Sequence, residues 1–206
     1  MLGKDIPNTI GLSGYNFEHC PTKTAAGGAG IFIADSLEYE IRSDLQMNLN
    51  QCEDFWVNVH LKKFSKKCRE NELIVGIVYR HPGSQFKEFE EKICGIINNL
   101  NQLRMNFVIM GDTHLNFEKV NLVRNITDYY NNIQGAGCLS LVNRATRVVR
   151  RGSKWQTSCL DHIYTNISID KTESYIITSD ISDHFSTLIK LDDARKSFIP
   201  KHEVFV

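Results

Sequence analysis

Three short stretches bring aspartate within two residues of histidine: V-I-M-G-D-T-H-L-N-F at 108–117, L-D-H-I-Y-T-N at 160–166 and S-D-H-F-S-T at 182–187. In the first, an apolar run stops on Gly111 and delivers Asp112 and His114. That is the pattern of a buried strand leaving a sheet so that its first loop side chains face a cleft, although Gly-Asp taken alone reads first as a plain strand end. In the third, Asp183 and His184 stand between Ile181 and an apolar run beginning at Phe185, where a loop enters a strand. A hard divalent cation takes carboxylate oxygens and a developing phosphoryl charge takes an imidazole donor, so an adjacent Asp-His supplies both from one loop. Asp161 is suited to holding a histidine ring in one tautomer, as buried carboxylates do in acid–base dyads. Either pair alone reads as an ordinary satisfied histidine; three acidic loop sites together point to chemistry on a phosphate.

Something must bring these loops together. The runs 29–34, 54–61, 72–80, 106–112, 160–166, 174–178 and 185–191 are rich in β-branched and aromatic residues and read as strands. Between the third and fourth, Phe86, Phe89, Ile93, Ile97, Leu100 and Leu103 recur at helical steps, which predicts an amphipathic helix over 84–104 with Ser84 as N-cap. Leu122, Val123, Ile126, Tyr129, Tyr130 and Ile133 predict a second helix, ended by Gly135. Some strand runs are apolar throughout and others alternate, so the fold class is α/β, with two sheets packed face to face and helices outside. The loops after Gly111, after Tyr79 and before Phe185 are then expected to meet at one end.

The 206 residues, 42% of them hydrophobic, suit a single domain spanning 1–206. Lys+Arg and Asp+Glu number 24 each, so any nucleic-acid contact must come from a local patch. One exists: 143–155 holds Arg144, Arg147, Arg150, Arg151 and Lys154 with no acidic residue and closes on Trp155. It reads either as phosphate contacts with a stacking or wedging aromatic, or as a solvated hairpin. The six cysteines form no C-x-x-C pair and read as reduced thiols of an intracellular protein. No signal peptide, membrane span or membrane partner is expected.

G-D-T-H-L-N, preceded by I-V-G-I-V-Y-R-H-P and followed by T-R-V-V-R, L-D-H-I-Y-T-N and S-D-H-F-S-T-L-I, resembles the endonuclease/exonuclease/phosphatase superfamily over about residues 10–192. Within it, the chain most resembles the endonuclease domain of non-LTR (LINE-type) retrotransposon polyproteins. The resemblance implies a four-layered α/β sandwich and Mg2+- or Mn2+-dependent hydrolysis of a phosphodiester, with DNA as substrate and partner. It also implies a nuclear location if the chain works as a DNA endonuclease; a monomer is expected. Carried onto this chain, Asp112 relays a proton, Asp183 helps hold the metal, His184 contacts the scissile phosphate, Asp161 orients His184 and Tyr79 leans on the phosphate.

The sequence departs from the family pattern twice. His114 stands where the family loop has asparagine, and an imidazole is larger and can become cationic. The family's first strand and its metal-binding glutamate loop are expected ahead of Gly14-Tyr15, which predicts an empty first-strand position, weak metal affinity and impaired activity. Two further functions stay open: an inactive domain fragment that binds nucleic acid or protein, and a phosphatase acting on a small phosphorylated molecule or lipid.

Overall fold

In the computed structural model, residues 11–22, 28–61 and 72–192 are described. They run through β1 (Tyr15–Cys20), β2 (Ala29–Ala34), β3 (Glu38–Ile41), β4 (Cys52–His60), β5 (Glu72–Arg80), α1 (Phe86–Gln102), β6 (Asn106–Asp112), α2 (Arg124–Gly135), β7 (Leu139–Ser140), β8 (Arg147–Arg151), β9 (Lys154–Ser158), β10 (Asp161–Thr165), β11 (Thr172–Ile177) and β12 (Ser186–Leu191). A mixed six-stranded sheet in the order β3-β4-β5-β6-β10-β7 forms the centre. Its one parallel pair is β5–β6, and α1 makes the crossover that parallel neighbours require.

The period of two along each strand divides the core. On one face Trp56, Ile74, Val78, Phe107, Ile109 and Tyr164 pack with the buried stripe of α1, Phe89, Ile93, Ile97 and Leu100, and with Tyr129 and Ile133 of α2. Both helices thus lie outside the sheet, each with one buried face, as the spacing predicts. Gly76 faces its cross-strand partner Trp56 on this side, where a Cβ would fall 2.4 Å from the indole. On the other face β1 and β2 cover Phe55, Val57 and Val59, while β11 and β12 cover Leu73, Val108 and Ile163. Val75 touches both clusters. The result is an α/β sandwich whose second layer consists, among the described residues, of two separate two-stranded ladders where a continuous sheet is expected.

Two predicted caps differ in detail. Helix α1 starts at Phe86 with Gln85 at the cap position, because the Ser84 hydroxyl instead accepts from Arg80 Nη1 at 2.8 Å. The left-handed residue that ends α2 is Gly137, at φ +78°, with Cys138 N bonded to Ile133 O and Gly137 N to Gln134 O. Cys52, Cys94, Cys138 and Cys159 are free thiols, and Cys68 lies outside the described residues. Burial pushes Cys52, Cys138 and Cys159 up to about 12, which keeps them as inert thiols. No described helix is long and apolar enough to cross a membrane.

Candidate active site

Asp112 ends β6 directly opposite Asp161, the first residue of β10. Gly111 makes that approach possible: its φ is +142°, and a Cβ would lie 1.9 Å from the Val78 carbonyl oxygen of β5. The loop then turns sharply. His114 adopts φ +52°, its backbone N–H donates to Asp112 Oδ1 at 2.9 Å, and its ring Nδ1 donates to the Arg80 carbonyl at 2.7 Å. The imidazole also lies 3.3 Å from Asp112 Oδ1, so it stays inside the site and keeps its place beside the aspartate. Arg80 fastens the loop from below. Its guanidinium is buried, donates from Nε to Thr113 O at 2.6 Å and sits 5.7 Å from the Phe89 ring centre.

Asp161 is organised by Thr146, a fully buried residue. The threonine hydroxyl donates to Asp161 Oδ2 at 2.7 Å and accepts from the backbone N–H groups of Leu160 and Asp161, both at 3.0 Å, which uses its whole hydrogen-bonding capacity. The same carboxylate oxygen accepts from His184 Nδ1 at 2.9 Å. That bond, with the Asp161 charge, raises the His184 pKa above its usual value. The ring's Nε2 has no partner among the described residues, on a side chain 29% exposed. Burial raises the Asp112 carboxyl, against the pull of the His114 N–H.

Ligand atoms of Asp112, Asp161 and His184 lie within 4.8 Å of one another. Asp112 Oδ1 and Asp161 Oδ2 are engaged, leaving one oxygen of each carboxylate. Two carboxylate oxygens are what a protein usually offers Mg2+, whose other positions go to water and phosphate, and the nearby imidazole suits Mn2+ as well. The donor set therefore fits a divalent cation. Tyr79 lies on the adjacent strand; burial, then the charges of Asp112 and Glu53, raise its phenol.

The other histidine of the sequence pairs has a different environment. His162 is buried, donates from Nε2 to Leu115 O at 2.9 Å and lies 3.9 Å from the Phe117 ring, and burial drives its pKa down to about 4. It is a core residue. Asp183 stands beside the carboxylate cluster: both Arg147 Nε and Nη2 reach its Oδ2 at 2.8 Å, and that contact holds its pKa below the usual carboxylate value.

Arg147 opens the basic hairpin of β8 and β9, so the patch and the hairpin are the same object. Arg150 pairs across it with Trp155, which is 70% exposed, and Arg151 pairs with Lys154 at the turn. Arg144 is exposed in the loop before it. The hairpin base is laced to the histidine loop by Val148 N to Asp183 O at 3.0 Å and Phe185 N to Thr146 O at 2.7 Å. The basic surface and the His184 site thus share one piece of backbone.

Thr146 and Arg80 received no role from their sequence motifs, although both stand in the quoted runs; their function rests on bonds to backbone distant in the chain. Thr146→Val is expected to lower unfolding free energy by about 1–3 kcal/mol, because it orphans two buried N–H groups and one carboxylate bond at nearly constant volume. Urea denaturation checks this, and an unchanged midpoint would deny Thr146 its organising part.

No protein-family model matches the chain, and no curated protein matches it in sequence. Solved structures do match in fold. The endonuclease domain of TRAS1, a telomere-specific non-LTR retrotransposon, superposes with TM-score 0.66 at 16% identity, covering 87% of this chain and 81% of that one. D. rerio TDP2 complexed with single-strand DNA product matches with TM-score 0.55 at 15% identity over 84% of this chain and 74% of its own. The 3'-5' exonuclease NExo from Neisseria meningitidis matches with TM-score 0.57 at 11% identity over 87% and 80%. The chain therefore has the endonuclease/exonuclease/phosphatase fold.

Proposed function

We propose that the chain is a divalent-metal-dependent phosphodiester hydrolase that nicks DNA, with low turnover. The observation that carries this is the convergence of Asp112, Asp161 and His184 at one sheet rim, beside an exposed basic hairpin. Asp112 and Asp161 would hold the cation, with Asp183 joining them only if it leaves Arg147. Bound there, the cation would offset charge developing on the phosphate oxygens.

The residues account for the remaining work. His184 gives Nδ1–H to Asp161 and turns Nε2 outward, where its charged form donates to a phosphate oxygen; the raised pKa widens the pH range over which it does so. Asp112, raised by burial, is a better proton acceptor than a solvated aspartate and takes the proton of an attacking water. Tyr79 offers its hydroxyl on the same side. The hairpin supplies phosphate contacts through Arg144, Arg150, Arg151 and Lys154, and a stacking face through Trp155. A DNA substrate of this kind places the working protein in the nucleus.

The Arg147–Asp183 ion pair favours a second reading, a domain that binds nucleic acid without cutting it, since a guanidinium already neutralises Asp183. Supercoiled plasmid separates the two. Slow nicking with Mg2+ or Mn2+, lost on chelation and on Asp112→Ala, is the expected result. Retention of plasmid with no nicking under either cation would establish the binding-only reading, and neither retention nor nicking would overturn both.

A further inference from the structure

The proposed site occupies only half of a longer row. Glu53 pairs across β4–β5 with Tyr79, Tyr79 lies two residues beyond the parallel pair Ile77–Met110 and so comes alongside Asp112, and Asp112 pairs with Asp161. Strand alternation puts all four on one side of the sheet: Phe55, Val75, Met110 and Ile163, at even offsets from them, pack against the second layer. Three interstrand steps of about 4.8 Å separate the ends by roughly 14 Å.

Each end holds a carboxylate with an imidazole. At the far end Glu53 is buried, accepts from Thr22 Oγ1 at 2.7 Å, and has its two oxygens 3.1 and 2.9 Å from His81 Nε2. A carboxylate here accepts, so Nε2 carries the hydrogen; Nδ1 has no partner among the described residues, on a side chain 16% exposed. This is the arrangement of Asp161 and His184 with the nitrogens exchanged. The Tyr79 ring stands edge-on to His81 at 4.9 Å and to His114 at 5.7 Å, joining the two ends into one rim. A turn-holding role does not account for the ring, because backbone bonds from His81 N to Gln51 O and from Ser84 N to His81 O already close that turn.

We propose that His81, held by Glu53, is a second phosphate contact, so that the substrate is a polynucleotide strand engaged at two phosphates, one at His184 and one several nucleotides away at His81. The proposal rests on the phosphodiester reading above and narrows its substrate class. With its charged form balanced by Glu53, the ring offers Nδ1–H to a phosphate oxygen. A phosphomonoester of small size reaches only one end of the row. A polynucleotide strand, with a phosphate at every nucleotide, spans it within a few nucleotides.

The test is a length series of 5′-phosphorylated oligothymidylates, two to eight nucleotides, bound to the full chain without metal and followed by fluorescence anisotropy. Affinity should step up about tenfold between three and six nucleotides in the native chain and in Lys92→Ala, an exposed change on α1, and the step should be missing in His81→Gln. Histidine 1H–15N spectra of the native chain supply a readout independent of that variant's folding: the His81 ring resonances should shift with the hexamer and not with the dimer. A smooth length dependence that is the same in His81→Gln, or His81 resonances unmoved by the hexamer, would overturn the second contact and leave the hydrolase reading intact. Failure of the native chain to bind any member would overturn both.

Discussion

Gly111→Ala should lower the unfolding free energy by about 4 kcal/mol, combining 1–3 kcal/mol of backbone strain with 1–3 kcal/mol of overpacking. The clash is with main chain, not with a side chain that can turn away. The added carbon would meet the Val78 oxygen at 1.9 Å and its carbonyl carbon at 2.9 Å, in the middle of the six-stranded sheet, at a φ of +142°. Relief requires β6 to move off β5, which carries Asp112 away from Tyr79. A domain at the low end of the ordinary range of about 5–15 kcal/mol would be left with only about 1 kcal/mol. Gly76→Ala is a useful contrast, since there the obstacle is the Trp56 ring and the backbone has no positive φ. Urea midpoints with unchanged slopes would measure both. A Gly111→Ala midpoint equal to that of the native chain is incompatible with the close β5–β6 approach.

Asp161→Asn should have the largest effect on chemistry. The amide keeps an oxygen for Thr146 but loses the charge that, with the hydrogen bond, raises the His184 pKa. His184 should then titrate closer to the ordinary 6.5, as read from its ring resonances. The linkage has a definite sign. Because the folded-state value is raised, the His184–Asp161 contact stabilises the native chain fully below pH 6.5, and this share fades as pH climbs through the raised pKa. The variant should lack that pH-dependent share. On the hydrolase reading, nicking should fall about 10²-fold or more relative to the native chain, the usual range for losing an acid–base contribution. An unmoved His184 titration would mean that the dyad does not form in solution.

Much of the architecture was legible in the apolar runs. β2, β4, β5, β6, β10, β11 and β12 are built on them because a strand covered on one or both faces must bury its side chains, and burial leaves a mark in composition. The remaining strands leave little mark. β9 reads K-W-Q-T-S and is almost wholly exposed, so its ladder with β8 is held by backbone bonds to which composition is indifferent. Glycine punctuation was ambiguous for a similar reason: Gly135 and Gly137 stand two apart, and only the backbone angle distinguishes the cap. At the site, Asp112, Asp161 and His184 were visible as motifs. The two Asp-His pairs nevertheless look alike in sequence, although His162 enters the core and His184 faces the rim. Thr146, Arg80 and the Glu53–His81 pair were invisible as a group, because their partners are 15 to 33 residues away and spacing along the chain carries no trace of such bonds.

The division of the second layer into two ladders also sets how the molecule opens. β4, β5 and β6 each lie between two bonded neighbours, whereas, among the described residues, every strand of the pairs β1–β2 and β11–β12 has one. A hairpin can therefore swing off the central sheet with its own ladder intact, giving up side-chain packing and a few bonds such as Ser174 Oγ to Leu141 O and Tyr39 Oη to Glu18 Oε1. Amide protons of the central strands should exchange with solvent only through global unfolding. Those on the outward edges of the two hairpins should exchange through local fluctuations of much lower free energy. Asp112 and Asp161 sit on the slow-exchanging frame, and His184 hangs on the segment leading into the fast one, so the two halves of the Asp161–His184 pair belong to parts of the molecule that breathe at different rates.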